Sequence, residues 1–332
     1  MTEAFTQAES AYTAVRDGGA GLIDLSSRGR VLVSGSDAVM FLNGLVTNDV
    51  KSLKINSWMP AAFVNVQGRL LAAVRVIHRG DGFLIDTEAE THKPVFRLLD
   101  RFVLAGDFRV RDLTNDTATL SLQGRGAVDL LRAEFGLGSA LERGTTFSAA
   151  DGLDILPATH TAEPGFDIFM AADRAGEWRD KFVGRGAVPV DDATQEVLRI
   201  EAGIPRYGVD MDENTVLSET NLDDAISFTK GCYTGQEIII RIKHRGHVAK
   251  KLTGFLLDRE TALAPGASVL AETSDEIGRV TSACVSPRLT RTIALGYVKY
   301  DYLAAGTKIR IKDTPGTVIS LPFIRGGWYD ND

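Results

Sequence analysis

The sequence predicts an α+β protein with antiparallel sheets, finished at its C-terminal end by a small β-barrel or sandwich. Three observations carry this. Up to about Ala249, short apolar runs of period two are interrupted by single amphipathic helices. Beyond Lys251 the helical periodicity stops, and short strand-like runs alternate with Gly and Pro. The chain has 332 residues, 44% apolar and 24% charged, which suits a globular protein of two or three packed units.

The elements follow in order. The first ordered signal is the run from Asp24 to Arg30, leading into a strand at 31–33. Ser36 reads as the N-cap of a short helix with Val39, Phe41, Leu42 and Leu45 on its apolar side. Strands are expected at 61–66 and 70–77, joined by a turn at Gln67-Gly68, and again at 83–86. Residues 93–101 read as a helix with Pro94 in the first turn, where a missing N–H does no harm. Strands at 108–112 and 119–122 precede a helix at 127–135 that Gly136 stops. Strands at 154–156 and 166–170 and a helix at 176–183 come next. Asp192 is the expected cap of a helix at 193–202, with Gln195 in the capping-box position and Gly203 and Pro205 ending it. The last region predicts strands at 252–257, 268–271, 277–284, 293–298 and 308–311, with turns at Pro265-Gly266, Gly306 and Pro315-Gly316. The change of character sets a domain boundary near Ala249, dividing 1–249 from 250–328.

Charge and cysteine usage exclude several function classes. The net charge of −7 repels a phosphate backbone, so nucleic acid is not the expected partner. No run reaches the roughly 20 apolar residues of a membrane span. Residues 1–16 contain Glu3 and Glu9 and no apolar core, unlike a secretory or transit segment. Two cysteines, Cys232 and Cys284, cannot build a disulfide framework, and the expected location is a reducing cytoplasm. The five histidines are scattered, so no metal site is expected.

The most informative run is Lys230-Gly231-Cys232-Tyr233-Thr234-Gly235-Gln236-Glu237. Thr234 and Glu237 fit a capping box ahead of Ile238-Ile239-Ile240, so a helix should start just after Thr234 and stop near Gly246. Cys232 then lies beside the positive end of that helix, and Lys230 adds a cation; both favour a thiolate. Arg241, Lys243, Arg245, Lys250 and Lys251 follow, a basic cluster suited to an anionic ligand tail. Glu219 can accept two parallel N–H bonds from an aminopyrimidine edge. On local chemistry alone, an inert buried cysteine, a solvated helix face and an exposed loop glutamate are the commoner explanations of the same residues.

Taken together, several runs resemble the folate-binding superfamily of the glycine-cleavage aminomethyltransferase, the T-protein. They are Asp24-Leu25-Ser26, Gly44-Leu45-Val46-Thr47-Asn48-Asp49-Val50, Asn65-Val66-Gln67-Gly68-Arg69, and Glu201-Ala202-Gly203-Ile204-Pro205-Arg206-Tyr207-Gly208. The resemblance spans nearly the whole chain. It implies three subdomains around a central hole, tetrahydrofolate or a one-carbon derivative as cofactor, Glu219 as the pterin-binding carboxylate, and Tyr207, Asn65, Arg241 and Arg245 as further ligand contacts. Lys-Gly-Cys-Tyr-x-Gly-Gln-Glu is similar to the signature of the YgfZ branch. That branch implies an accessory role toward iron–sulfur enzymes, with iron–sulfur client or assembly proteins as partners and Cys232 and Lys230 as the reactive pair. The transferases follow their Asn-x-x-Gly segment with paired aspartates, one of which meets the reacting end of the folate. Here Ala72 and Ala73 stand there, and an alanine cannot hold a proton or steady a developing charge. The alternative expectation is a tetrahydrofolate-dependent aminomethyltransferase or demethylase, and a scaffold that has lost folate is a third.

Overall fold

In a computed structural model the chain is described over residues 2–137 and 141–330. Its first half runs α1 (Thr2–Arg16), β1 (Gly21–Asp24), β2 (Gly29–Ser34), α2 (Ala38–Leu45), β3 (Ser57–Val64), β4 (Leu70–Arg79), β5 (Gly82–Thr87), α3 (Ala89–Asp100) and β6 (Arg109–Asp112). Then come β7 (Thr117–Gln123), α4 (Gly126–Phe135), β8 (Phe147–Ser148), β9 (Asp154–Pro157), β10 (Gly165–Ala171), α5 (Ala175–Gly184), β11 (Val188–Pro189), α6 (Asp192–Glu201) and α7 (Gln236–Arg245). The chain ends in β12 (Lys250–Leu257), β13 (Ser268–Ala271), β14 (Glu276–Ser286), β15 (Arg291–Lys299), β16 (Lys308–Ile311) and β17 (Thr314–Ile319). The α+β class with antiparallel sheets is what the alternation predicted.

Three sheets result. One has the order β11-β1-β7-β10-β9-β8, antiparallel apart from the β1–β11 pair. The second has the order β3-β4-β5-β2-β6. The chain thus begins the first sheet with β1, leaves to build the second, and returns. The two pack face to face through Leu32, Ile77 and Leu84 on one side and Leu156, Ala158 and Phe169 on the other. A buried ionic chain crosses the same interface: Arg28 and Arg75 hold Asp86, and Arg75 and His160 hold Asp167. Burial works against charge on both carboxylates, but the cations outweigh it and keep Asp86 and Asp167 below the usual carboxylate range. The third sheet is a closed barrel, β12-β15-β14-β13-β16-β17, around Phe255, Val269, Ile277, Val298 and Ile311. Closure removes the exposed sheet edges.

Two buried carboxylates fasten the barrel to the rest. Glu201 accepts from Arg16 Nη2 at 2.7 Å, Tyr12 Oη at 2.8 Å and Ser286 Oγ at 2.5 Å, joining α1, α6 and β14. Asp210 accepts from Arg199 Nη1 at 2.5 Å, Thr281 Oγ1 at 2.5 Å and Ser282 Oγ at 2.7 Å. The Glu201–Asp210 run is therefore the joint of the molecule.

Several local expectations need correction. Helix α1 precedes the first ordered signal the sequence offered. Asp37, not Ser36, is the N-cap of α2, and the Ser36 hydroxyl bonds Asp107 instead. Helix α3 starts at Ala89, so Pro94 lies inside it and not in its first turn. Asp191, not Asp192, caps α6, accepting from the Thr194 amide at 2.7 Å. Pro315-Gly316 lies within β17, where a Cβ on Gly316 would come 2.6 Å from the Leu256 carbonyl oxygen. Among the described residues no helix is long and apolar enough to cross a membrane.

Candidate functional site

Three connections that are far apart in sequence, those after α2, between β3 and β4, and between α6 and α7, meet beside α7. The segment after α2 is tied to the 225–234 region by Thr47, whose hydroxyl donates to the Ala225 carbonyl at 2.6 Å and whose own carbonyl accepts from the Ser227 amide at 3.0 Å. The Thr234 amide donates to the Gly44 carbonyl at 3.1 Å. The turn between β3 and β4 receives the 215–219 segment: the Leu70 amide donates to Thr215 and the Leu217 amide to Gly68. Leu70, Leu217, Tyr233 and Ile239 then close over a common apolar cluster with Ala62 and Val64. The motifs singled out in the sequence are thus neighbours in space.

The Lys230 side chain is buried, and its ammonium donates to the carbonyls of Asn43 at 2.8 Å, Val46 at 2.8 Å and Asn48 at 2.6 Å. All three of its donors are used, so this lysine clamps the 43–48 loop; it is not a free cation held for the thiol. Burial draws its pKa down to about 8, and the nearby Asp49 offsets part of that. The expected Thr234–Glu237 capping box does not form. The N-cap of α7 is Gly235 at φ +78°, with no side-chain cap. A Cβ there would lie 2.3 Å from the Asn65 carbonyl oxygen, so only glycine satisfies both the dihedral and the contact. Asn65 Oδ1 accepts from the amides of Gln67 at 2.9 Å and Arg69 at 3.0 Å. That oxygen is committed to its own turn.

Glu219 ends a 3-10 turn, Leu217–Glu219, and is buried. Its one ion pair among the described residues is a loose contact with Lys250 Nζ at 4.0 Å. Burial raises its pKa above the usual 4.5, and Lys250 offsets only part of the rise. Cys232 is exposed and unpaired. Arg241, half exposed, pairs with Glu237 one helical turn back. Arg245 ends α7, and its side chain lies outside the described atoms. Cys284 is a different kind of thiol: it sits in β14 against the barrel's outer apolar cluster, and burial with the charge of Glu201 pushes its pKa up to about 12.

The chain matches the GCVT N-terminal domain over residues 2–230 and the glycine cleavage T-protein C-terminal barrel domain over residues 250–325. This chain belongs to the glycine-cleavage T-protein family. An aminomethyltransferase of Rubrobacter xylanophilus is 33% identical over 92% of this chain and 83% of its own length. One from Halothermothrix orenii is 29% identical over 98% and 93%. A putative transferase of the Arabidopsis thaliana chloroplast is 25% identical over 98% and 76%. The solved glycine cleavage system aminomethyltransferase T of Bartonella henselae superposes with a TM-score of 0.87 at 25% identity, covering 96% of this chain and 90% of that one. Proteins of this family use tetrahydrofolate.

Against that T-protein background, the two alanines of β4 separate. The β3–β4 register slips between Phe63–Ala72 and Val64–Leu70, leaving Leu71 as an extra residue. Ala72 is buried in the cluster under α2 and α3, where a carboxylate would find no water. Ala73 is only partly buried and packs against the cluster that holds Leu70, Leu217 and Tyr233, as Tyr207 and Leu222 also do. The second alanine is therefore the one that borders the loop junction. Tyr207 connects this cluster to a cavity of about 540 Å³ that also takes Phe63, Leu71, Pro94 and Leu98. A second cavity of about 520 Å³, lined by Arg28, His160 and Arg206, lies along α6. Glu219 and Cys232 line neither.

The sequence reading missed Tyr297 beside Glu219. Burial and the Glu219 charge raise its pKa, and Lys250 Nζ stands 5.1 Å from its ring centroid. Tyr297 comes from β15, far along the chain, and its partly apolar strand context carries no polar signal. Among the described residues no group of three His, Cys, Asp or Glu side chains is placed to hold a metal ion.

Proposed function

We propose that this chain is a tetrahydrofolate-binding accessory protein that supports assembly or repair of iron–sulfur enzymes, with Glu219 holding the ligand and Cys232 supplying an accessible thiol. The observation that carries the folate half is Glu219: the one ion pair of this buried carboxylate among the described residues is the 4.0 Å contact with Lys250. Burial keeps its pKa raised although the charges of Lys250 and Arg69 and a backbone N–H bond at Val216 act the other way, so the carboxylate is not saturated with donors. An aminopyrimidine edge offers two N–H groups in the geometry a carboxylate accepts. Tetrahydrofolate, when bound, supplies carriage of a one-carbon unit. The chain's own residues do the rest. Glu219 orients the ring edge, Lys230 and Gly235 fix the surrounding loops, and Cys232 is reachable by a macromolecular partner. A single thiol cannot hold a stable cluster, which takes four ligands, so its role is transient and shared with a partner's cysteines. Two unpaired cysteines fit a reducing cytoplasm.

A second reading, aminomethyl transfer or demethylation with the same cofactor, is favoured by the names of the relatives, which are aminomethyltransferases. Those names give no support to iron–sulfur clients. Against it stands Ala73, which cannot hold or move a proton where the transferases carry an acid; losing such a group typically costs about 10²- to 10⁴-fold in rate. Two assays separate the readings. Under the first, Cys232→Ala keeps tetrahydrofolate binding but fails to restore iron–sulfur enzyme activity to a strain lacking this protein; full restoration rejects the thiol's role. Under the second, the purified chain turns over a lipoyl-linked aminomethyl donor at a rate near that of a T-protein.

A further inference from the structure

Tyr233 follows the exposed cysteine, yet its side chain turns inward. It is 7% exposed and sits in the apolar cluster with Val64, Leu70 and Leu217. Its hydroxyl is buried and has no hydrogen-bond partner. Buried phenols ordinarily find one, because a polar group withdrawn from water without a replacement bond costs free energy. The residues that pack on this cluster while staying partly open are Ala73, Tyr207 and Leu222. An unsatisfied donor thus lies at the junction bordered by the alanine of β4.

The ring is fixed there. Lys230 Nζ stands 5.1 Å from its centroid, and that ammonium is itself anchored by three carbonyls. Burial pushes the phenol's pKa up to about 12, so at neutral pH the group is uncharged and donates. A rigid, neutral donor in an apolar surround selects an uncharged acceptor on a flat ring, such as a ring carbonyl or imine nitrogen. It does not select a cation, which a carboxylate in the place of Ala73 would favour.

We propose that Tyr233 is a ligand-contacting residue whose hydroxyl donates to an acceptor on the pteridine ring of tetrahydrofolate, the second polar hold on the ring beside Glu219. This rests on the folate reading above, and the test keeps the two apart. Tetrahydrofolate is titrated calorimetrically, under reducing conditions, into wild-type protein, Tyr233→Phe and Glu219→Gln, and the thermal unfolding of each is recorded without ligand. The expected result is that Tyr233→Phe unfolds at the same or a higher temperature than wild type, having lost only an unpaired hydroxyl, and binds tetrahydrofolate about tenfold more weakly. Binding by Tyr233→Phe as tight as wild type, with Glu219→Gln impaired, overturns the proposal and leaves the folate reading standing. A lower unfolding temperature with unchanged affinity also overturns it, since the hydroxyl then serves the fold. No binding to the wild-type protein overturns both.

Discussion

On the proposed reading, Glu219 sets ligand binding against stability. Its carboxyl has a folded pKa above the ordinary 4.5, raised by burial. Below about 4.5 the group is protonated whether the chain is folded or not, and it costs nothing. As pH rises through the folded pKa, the unfolded chain ionises first and holds fewer protons, so stability falls and the cost persists at neutral pH. Glu219→Gln should remove that fall: the variant's Tm at pH 7 is expected to equal or exceed wild type, while tetrahydrofolate binding is lost. Binding to wild type should strengthen over the same rise in pH, because the ring edge donates to the ionised form. A pH series of Tm and affinity on both proteins checks the sign. Lys230 is the opposite case, a residue whose site value is structural. Lys230→Met leaves the carbonyls of Asn43, Val46 and Asn48 without their donor and should cost about 3 kcal/mol in a urea titration. The sequence showed Lys230 beside Cys232 but could not show where its ammonium goes, since the acceptors lie on a loop after α2.

At the scale of elements, the start of α7 is held by backbone geometry. Gly235 combines a positive φ with a Cβ position 2.3 Å from a carbonyl oxygen. Gly235→Ala should therefore destabilise by at least about 1–3 kcal/mol, measured by denaturant unfolding. The helix itself was legible from Ile238-Ile239-Ile240 and the glycine at 246, within a residue at each end. Its cap was not, because Thr-x-x-Glu spacing describes a side-chain solution that the neighbouring Asn65 turn pre-empts. The same limit explains Asp191 against Asp192 and Asp37 against Ser36: adjacent polar residues all read as caps, and tertiary contacts choose. Strand β17 was missed because Pro315-Gly316 reads as a turn. Pro315 is exposed on that strand, and Gly316 lies against the Leu256 carbonyl, a contact no local pattern reveals.

For the whole molecule, the alternation of short strands with single helices, then strands alone, was enough to give the class and the C-terminal barrel. The interleaving of the first two sheets was not readable, since β1 and β7 pair across the whole second sheet. Nor was the role of the Glu201–Asp210 run, whose carboxylates act on α1 and β14, distant in sequence. Glu201→Ala breaks a buried pair with Arg16 and removes one of the two carboxylate ties that hold β14, leaving the Asp210 tie. It should cost about 3–5 kcal/mol, and calorimetry should show the barrel unfolding apart from the remainder instead of in one transition. Because Glu219 touches the barrel through Lys250, tetrahydrofolate should restore part of that lost coupling. The most direct measurement is a crystal structure of the protein grown with tetrahydrofolate. The pteridine is expected with its aminopyrimidine edge on the Glu219 carboxylate. Density for the ring in the cavity beside Arg28 and His160, with no ligand atom on the Glu219 carboxylate, would contradict it.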